Sequence, residues 1–222
     1  MPPAVGVPHF HSAMKGPRNP NIIMIGEIRY PPDVAAAINA ALTGHRVWTT
    51  LHANSALGII KRLHSLMSSG NLGDPMDFIC DYSIMAGLVN QCLVPVLCPK
   101  CKKNLHNLPS DAYRKSVLPD DIYAQLKLKI DDIENENVHV RGKGCEYCDH
   151  MGFVDQTVIA EIIITDDKFL EYVRKSDFSG AQDYWIMQGG QTIVEDAISK
   201  IEEGILDPYT TVMQLGKPLT FN

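Results

Sequence analysis

Residues 21–30 read NIIMIGEIRY: four apolar side chains and a glycine, then Glu27 and, two positions on, Arg29. An apolar run of this length suits a strand covered on both faces, as in a parallel sheet. Such strands deliver their carboxyl ends to the crevice where α/β sheets bind ligands, so Glu27 and Arg29 are expected at the edge of a site. Residues two apart on an extended chain point to the same side, and the pair is expected to face one ligand together. A carboxylate there can orient a water towards a phosphoryl group or hold Mg²⁺, while a guanidinium neutralises phosphate charge. An exposed ion pair at a strand end accounts for the same two residues without chemistry.

The neighbouring sequence extends the pattern to an α/β layer. Pro31, Pro32 and Asp33 open a helix whose apolar positions are Val34, Ile38 and Leu42, and Gly44 stops it. A second strand, RVWTTLH at 46–52, follows at once and carries His52 at its carboxyl end, with His45 just before it and Thr43, Thr49 and Thr50 nearby. Ends of neighbouring strands meet in a doubly wound sheet, so His52 is expected near Glu27. Ser55 caps a helix over 56–68, and Phe78, Tyr82, Met85, Val89 and Cys92 recur at helical spacing, predicting another over 77–94. Strand, helix, strand, helix implies a parallel sheet covered by helices.

Composition sets the class. The 222 residues are 45% hydrophobic, enough for a sizeable core. No apolar run reaches the roughly 18 residues of a bilayer crossing, and the first residues lack the pattern of a signal peptide, so a soluble, cytoplasmic chain without a transmembrane segment is expected. A net charge of −6 argues against a broad nucleic-acid footprint.

Three compositional regions follow: 1–97, the α/β part; 98–150, polar and bracketed by cysteines, with one helix near 120–128; and 151–222, a strand QTVIAEIIIT and then short amphipathic helices over 166–175, 179–188 and 192–203 and one that Asp207 caps. In the middle region CPKC (Cys98, Cys101) and CEYC (Cys145, Cys148) are two CxxC pairs. Each spacing lets both sulfurs reach one ion, and four thiolates suit tetrahedral Zn²⁺ in a structural role. His106 and His150 are near but superfluous beside four cysteines, and Cys80 and Cys92 read as core packing.

The stretch from Asn19 to Leu63 resembles the Walker B and His-box region of the ATPases that drive type II secretion and type IV pilus assembly, where the pattern runs close to DPDIIMxGEIRD and then TGHxVxxTLHxNxAxxxxxRL. The resemblance implies that Glu27 polarises the attacking water, that Arg29 belongs to its GEIR segment, and that His45 and His52 are the His-box histidines that couple phosphate to subunit motion. Gly26, Thr43, Gly44 and Thr50 fall on the surrounding nucleotide-binding motif. It further implies a partial RecA-like parallel sheet with flanking helices, a small tetracysteine zinc-binding insert, which favours assembly over retraction, and a mostly helical carboxyl-terminal subdomain. GFVDQTVIAEIIITDD and TIVEDAISKIEEGILDPYTTVMQL resemble the family's closing segments, although the usual GRTG is absent. Departures also touch the site: Asn19, Asn21 and Tyr30 replace aspartates, and MKGPRNPN stands where relatives carry an Asp box.

These 222 residues contain no GxxxxGK[ST] phosphate loop. The chain is therefore expected to be the carboxyl-terminal part of a longer ATPase, inactive alone. The full protein is expected to use ATP and Mg²⁺, to form a homo-hexamer and to act on an inner-membrane platform protein. Two other classes fit: a non-hydrolysing, zinc-stabilised scaffold, and a conjugation or type IV secretion relative that lacks the zinc insert.

Overall fold

A computed structural model describes residues 20–130 and 137–220 of the chain. The fold is mixed α/β. Its elements in order are β1 (Ile22–Ile25), α1 (Pro31–Leu42), β2 (Arg46–Thr49), α2 (Ala56–Ser69), α3 (Pro75–Ile79), β3 (Gly87–Leu97), β4 (Lys103–Asn104), α4 (Asp111–Val117), α5 (Asp120–Lys129), β5 (His139–Val140), β6 (Phe153–Ile164), α6 (Asp167–Arg174), α7 (Phe178–Met187), α8 (Ile193–Glu202) and α9 (Pro208–Leu215). The substitutions at Gly16, Pro17 and Asn19 lie outside the described residues.

β1 and β2 pair in parallel, with Ile22 opposite Arg46 and Ile25 opposite Thr49, as the strand–helix–strand pattern requires. The expectation of strands buried on both faces is corrected. Ile22, Met24 and Trp48, which share one face of the pair, are 57%, 65% and 62% exposed, so among the described residues only the other face is covered.

The helix expected over 77–94 is also corrected. α3 ends at Ile79, and residues 87–97 form β3, which pairs with β6. The backbone bonds Thr165 N to Ala86 O and Cys98 N to Gly152 O, near opposite ends of the two strands, make the pairing antiparallel. Alternation explains the outcome, since Leu88 and Val94 turn inward while Val89 and Leu93 face out. Cys92 consequently lies in a strand, half-buried, while Cys80 is buried at the end of α3.

By packing, the described chain divides into two units, each drawn from two stretches. The first comprises the residues up to Asn90 together with Ile162–Gly190. Its core joins Ile28 and Val34, the α2 stripe of Ala56, Ile60, Leu63 and Met67, and Phe169, Val173 and Trp185 from α6 and α7. The second comprises Gln91–Glu161 with the residues from Gln191 onward. Leu118, Ile122 and Leu126 pack there with Val138, Val140, Ile159, Ile201 and Leu206.

The helix starts follow from the caps. Ser55, Asp166, Thr192 and Asp207 each accept a backbone N–H from the first turn of the helix they precede, and Thr192 and Glu195 form a reciprocal box. Buried Asp207 also accepts the Arg141 N–H at 2.8 Å, which ties β5 to α9.

Candidate functional site

The parallel register brings the ends of β1 and β2 together. Beyond the strands the connection continues: Ile28 N donates to Thr50 O at 2.8 Å, and the Thr50 hydroxyl donates to Gly26 O at 2.5 Å. Ile28 is buried and anchors the loop, so Glu27 and Arg29 on either side of it project outward. The Asp33 carboxylate at the start of α1 accepts the backbone N–H groups of Arg29 and Tyr30 at 3.0 and 2.9 Å. The same residue that starts the helix therefore holds the loop that bears the site.

Glu27 is the centre of this arrangement. Its Oε2 lies 2.6 Å from an Arg29 terminal nitrogen and its Oε1 lies 3.3 Å from His52 Nε2. The Glu27 side chain is 24% exposed, against 94% for His52. The hydrogen bond from Arg29, opposed in part by desolvation and aided by the charges of Arg29 and His52, holds the Glu27 carboxyl below its ordinary value. Glu27, Arg29, Tyr30 and His52 line an open depression of about 470 Å³ together with Ile28 and Arg62.

The remaining motif residues lie elsewhere. Thr43, Gly44 and His45 sit at the amino end of β2, roughly 16 Å along an extended chain from Thr50. There His45 Nδ1 lies 3.0 Å from the Thr43 hydroxyl and 3.2 Å from Ala40 O. Gly44 adopts a φ of 89°, the left-handed region that favours glycine and lets α1 turn directly into β2. The structure thus brings together Glu27, Arg29, His52, Thr50 and Gly26, and not Thr43, Gly44 and His45. Sequence reasoning overlooked Asp33 and Arg62 as parts of the site, whereas Tyr30 was noted there as a departure. Asp33 was visible as an acidic residue in a first helical turn, and Arg62 closes the very motif that drew attention to His52.

As a Mg²⁺ site the depression fits poorly. It offers one carboxylate, both of whose oxygens are engaged, and Tyr30 adds none, while Asn21 lies at the opposite, amino end of β1.

The four cysteines form a second candidate site. The sulfurs of Cys98, Cys101, Cys145 and Cys148 all lie within 4.8 Å of one another, with Cys98–Cys145 and Cys145–Cys148 at 3.8 Å and Cys101–Cys148 at 3.9 Å. A tetrahedron with metal–sulfur bonds of about 2.3 Å has edges of about 3.8 Å, so the donor set fits such an ion. Both pairs make the same tight turn, in which the carbonyl of the first cysteine accepts the N–H of the second. Desolvation and the neighbouring sulfurs push the Cys101 thiol up to about 12. At Cys148 desolvation also raises the value, but the backbone N–H groups of Cys145 and Gly152 outweigh it and hold the thiol down to about 6. Two glycines make the site compact. A Cβ on Gly142 would fall 1.8 Å from Cys101 O, and one on Gly144 would fall 2.1 Å from His150 O.

Comparison with known proteins identifies the family. The family described as type II/IV secretion system protein matches residues 11–214. The chain belongs to this family. It is 30% identical over 188 residues to the type II secretion system ATPase E of Vibrio cholerae, covering 85% of this chain and 33% of that protein. It is 29% identical over 189 residues to the type IV pilus assembly ATPase PilB of Thermus thermophilus, covering 85% of this chain and 19% of that protein. The chain thus spans about a third or less of these relatives. Among solved structures it resembles the pilus retraction motor PilT with bound ADP (TM-score 0.58, 18% identity, 97% of this chain and 45% of that one). It also resembles the Legionella pneumophila ATPase DotB (TM-score 0.54, 20% identity, 94% and 42%). At these identities the structural likeness concerns the fold. No helix among the described residues is long and apolar enough to cross a membrane.

Proposed function

We propose that this chain is the Walker B and zinc-insert portion of a motor ATPase that couples ATP hydrolysis to type II secretion or type IV pilus assembly. The observation that carries the reading is the convergence of Glu27 and His52, 3.3 Å apart, at the carboxyl ends of a parallel strand pair. In this reading Glu27 accepts a hydrogen bond from the attacking water and aligns it with the terminal phosphate, a positioning role that suits the loose transition state of phosphoryl transfer. His52 senses the state of that carboxylate through their shared contact. Arg29 holds Glu27 in place until substrate enters. Thr50 and Gly26 keep the two loops in register, and His45, with Thr43 and Gly44, acts on the site through β2 and not by contact.

The phosphates would be cradled by a GxxxxGK[ST] loop outside these 222 residues, and Mg²⁺ would arrive with them, supplying charge neutralisation. The RecA-like sheet, the homo-hexamer, the cytoplasmic position beneath an inner membrane and the push on a platform protein belong to the same reading. Cys98, Cys101, Cys145 and Cys148 would hold Zn²⁺, which would cross-link the two turns of the insert without taking part in hydrolysis.

A second reading is a non-hydrolysing, zinc-stabilised scaffold. The Glu27–Arg29 ion pair favours it, because a carboxylate held at both oxygens does not orient water. ATPase assay of the chain within its full reading frame, wild type against Glu27→Gln, separates the two. Loss of about a hundredfold or more in turnover is expected if the carboxylate positions the water. Unchanged turnover, or none in either protein, leaves the scaffold.

A further inference from the structure

The sequence pattern assigns phosphate charge to Arg29, but the structure commits Arg29 to Glu27 at 2.6 Å. A different cation lines the same depression without such a commitment. Arg62 is exposed on α2 and makes no hydrogen bond, ion pair or ring contact with a described residue. Several other cations of the first unit are engaged. Neighbouring Lys61 lies over the Phe178 ring at 4.7 Å, Lys168 over Tyr184 at 4.9 Å, Lys175 pairs with Glu171, and Arg174 donates to Cys80 O.

The placement of Arg62 is also rigid. α2 is pinned by the Ser55 cap, whose hydroxyl accepts Gly58 N at 3.0 Å, and by its buried stripe of Ala56, Ile60, Leu63 and Met67. The helix starts only a few residues after His52, so the backbone that carries Arg62 is held against the loop that carries His52. Charge decides what this arrangement accepts. The single carboxylate of the depression is neutralised by Arg29, and Arg62 adds one positive charge with no counter-charge among the lining residues. A guanidinium offers five N–H donors in a planar fork suited to phosphate oxygens, and Tyr30 and His52 add donors around it.

We propose that Arg62 is a phosphate-binding residue, the group of this chain that draws a polyphosphate anion into the depression beside Glu27. The assignment rests on the ATPase reading for its substrate, a nucleoside triphosphate, and it gives Arg62 a different task from Arg29: Arg62 holds the anion, while Arg29 holds the carboxylate. The fork should bind two oxygens of one phosphate, so lysine would replace it only in part.

The test is calorimetric titration of the 222-residue chain with inorganic tripolyphosphate at low salt, without metal. Saturable binding is expected in the wild type, with Arg62→Ala weakened by about tenfold or more and Arg62→Lys intermediate. Circular dichroism and thermal midpoints would confirm that the variants fold, and Arg62→Gln provides a second neutral variant of similar size. Absence of saturable binding in the wild type, or equal affinity in wild type and both neutral variants, overturns the proposal. The outcome is separable from that of the ATPase assay. Arg62-independent binding with turnover sensitive to Glu27 removes Arg62 and keeps the motor. Arg62-dependent binding with turnover indifferent to Glu27 keeps the anion site and removes the motor.

Discussion

Glu27 and Arg29 are two residues apart on an extended segment, and that spacing has a consequence the motif alone conceals. Side chains on one side of a strand reach each other as readily as they reach a ligand. The guanidinium therefore takes the carboxylate at 2.6 Å and holds its titration below the ordinary glutamate value. A depressed carboxyl stabilises the folded arrangement above its unfolded value of about 4.3 and loses that contribution as pH falls through the folded one. Arg29→Ala is accordingly expected to move the Glu27 carboxyl upward, read by carbon-13 NMR titration of its side chain between about pH 2 and 7. No change would mean that His52 or the loop sets the value instead. Solvent screens the pair, so thermal stability should scarcely respond. The convergence of Glu27 with His52 was legible because strand-end geometry follows from an apolar pattern, whereas the roles of Asp33 and Arg62 needed coordinates.

At the level of elements, most helix limits were readable because caps are local chemistry. Ser55, Asp166, Thr192 and Asp207 satisfy the amides nearest to them whatever the tertiary context. β3 was misread because Phe78, Tyr82, Met85, Val89 and Cys92 satisfy a helical period, and only the pairing with β6 selects the alternation starting at Gly87. The turns of the cysteine site show how close packing limits sequence. Gly142→Ala places a methyl 1.8 Å from Cys101 O, which is expected to cost about 1–3 kcal/mol in backbone adjustment. Zinc affinity should fall about 10- to 100-fold, measured by competition with a chromophoric chelator. Wild-type affinity in that variant would show that the Cys98–Cys101 turn moves freely.

Across the whole chain, each unit has its own core and its own reporter. Both tryptophans, Trp48 and Trp185, belong to the first unit, and all four clustered cysteines belong to the second. Phe169→Ala, at a side chain 1% exposed, is expected to destabilise the first unit by about 3–5 kcal/mol, seen as a lower urea midpoint in tryptophan fluorescence. A shift below about 1 kcal/mol would show that the surrounding helices close the cavity. The sequence by itself determined the helix starts at Ser55, Asp166, Thr192 and Asp207, the two CxxC pairs and the strand–helix–strand order that brings Glu27 to His52, since each follows from local periodicity or short spacing. Only the tertiary structure decided that Ile162–Gly190 belongs with the first unit, that residues 87–97 are extended and that, of the two arginines lining the depression, Arg29 pairs with Glu27 while Arg62 makes no hydrogen bond, ion pair or ring contact with a described residue. These outcomes depend on contacts between residues tens of positions apart, and no local pattern carries the energy of a contact whose partner it does not specify.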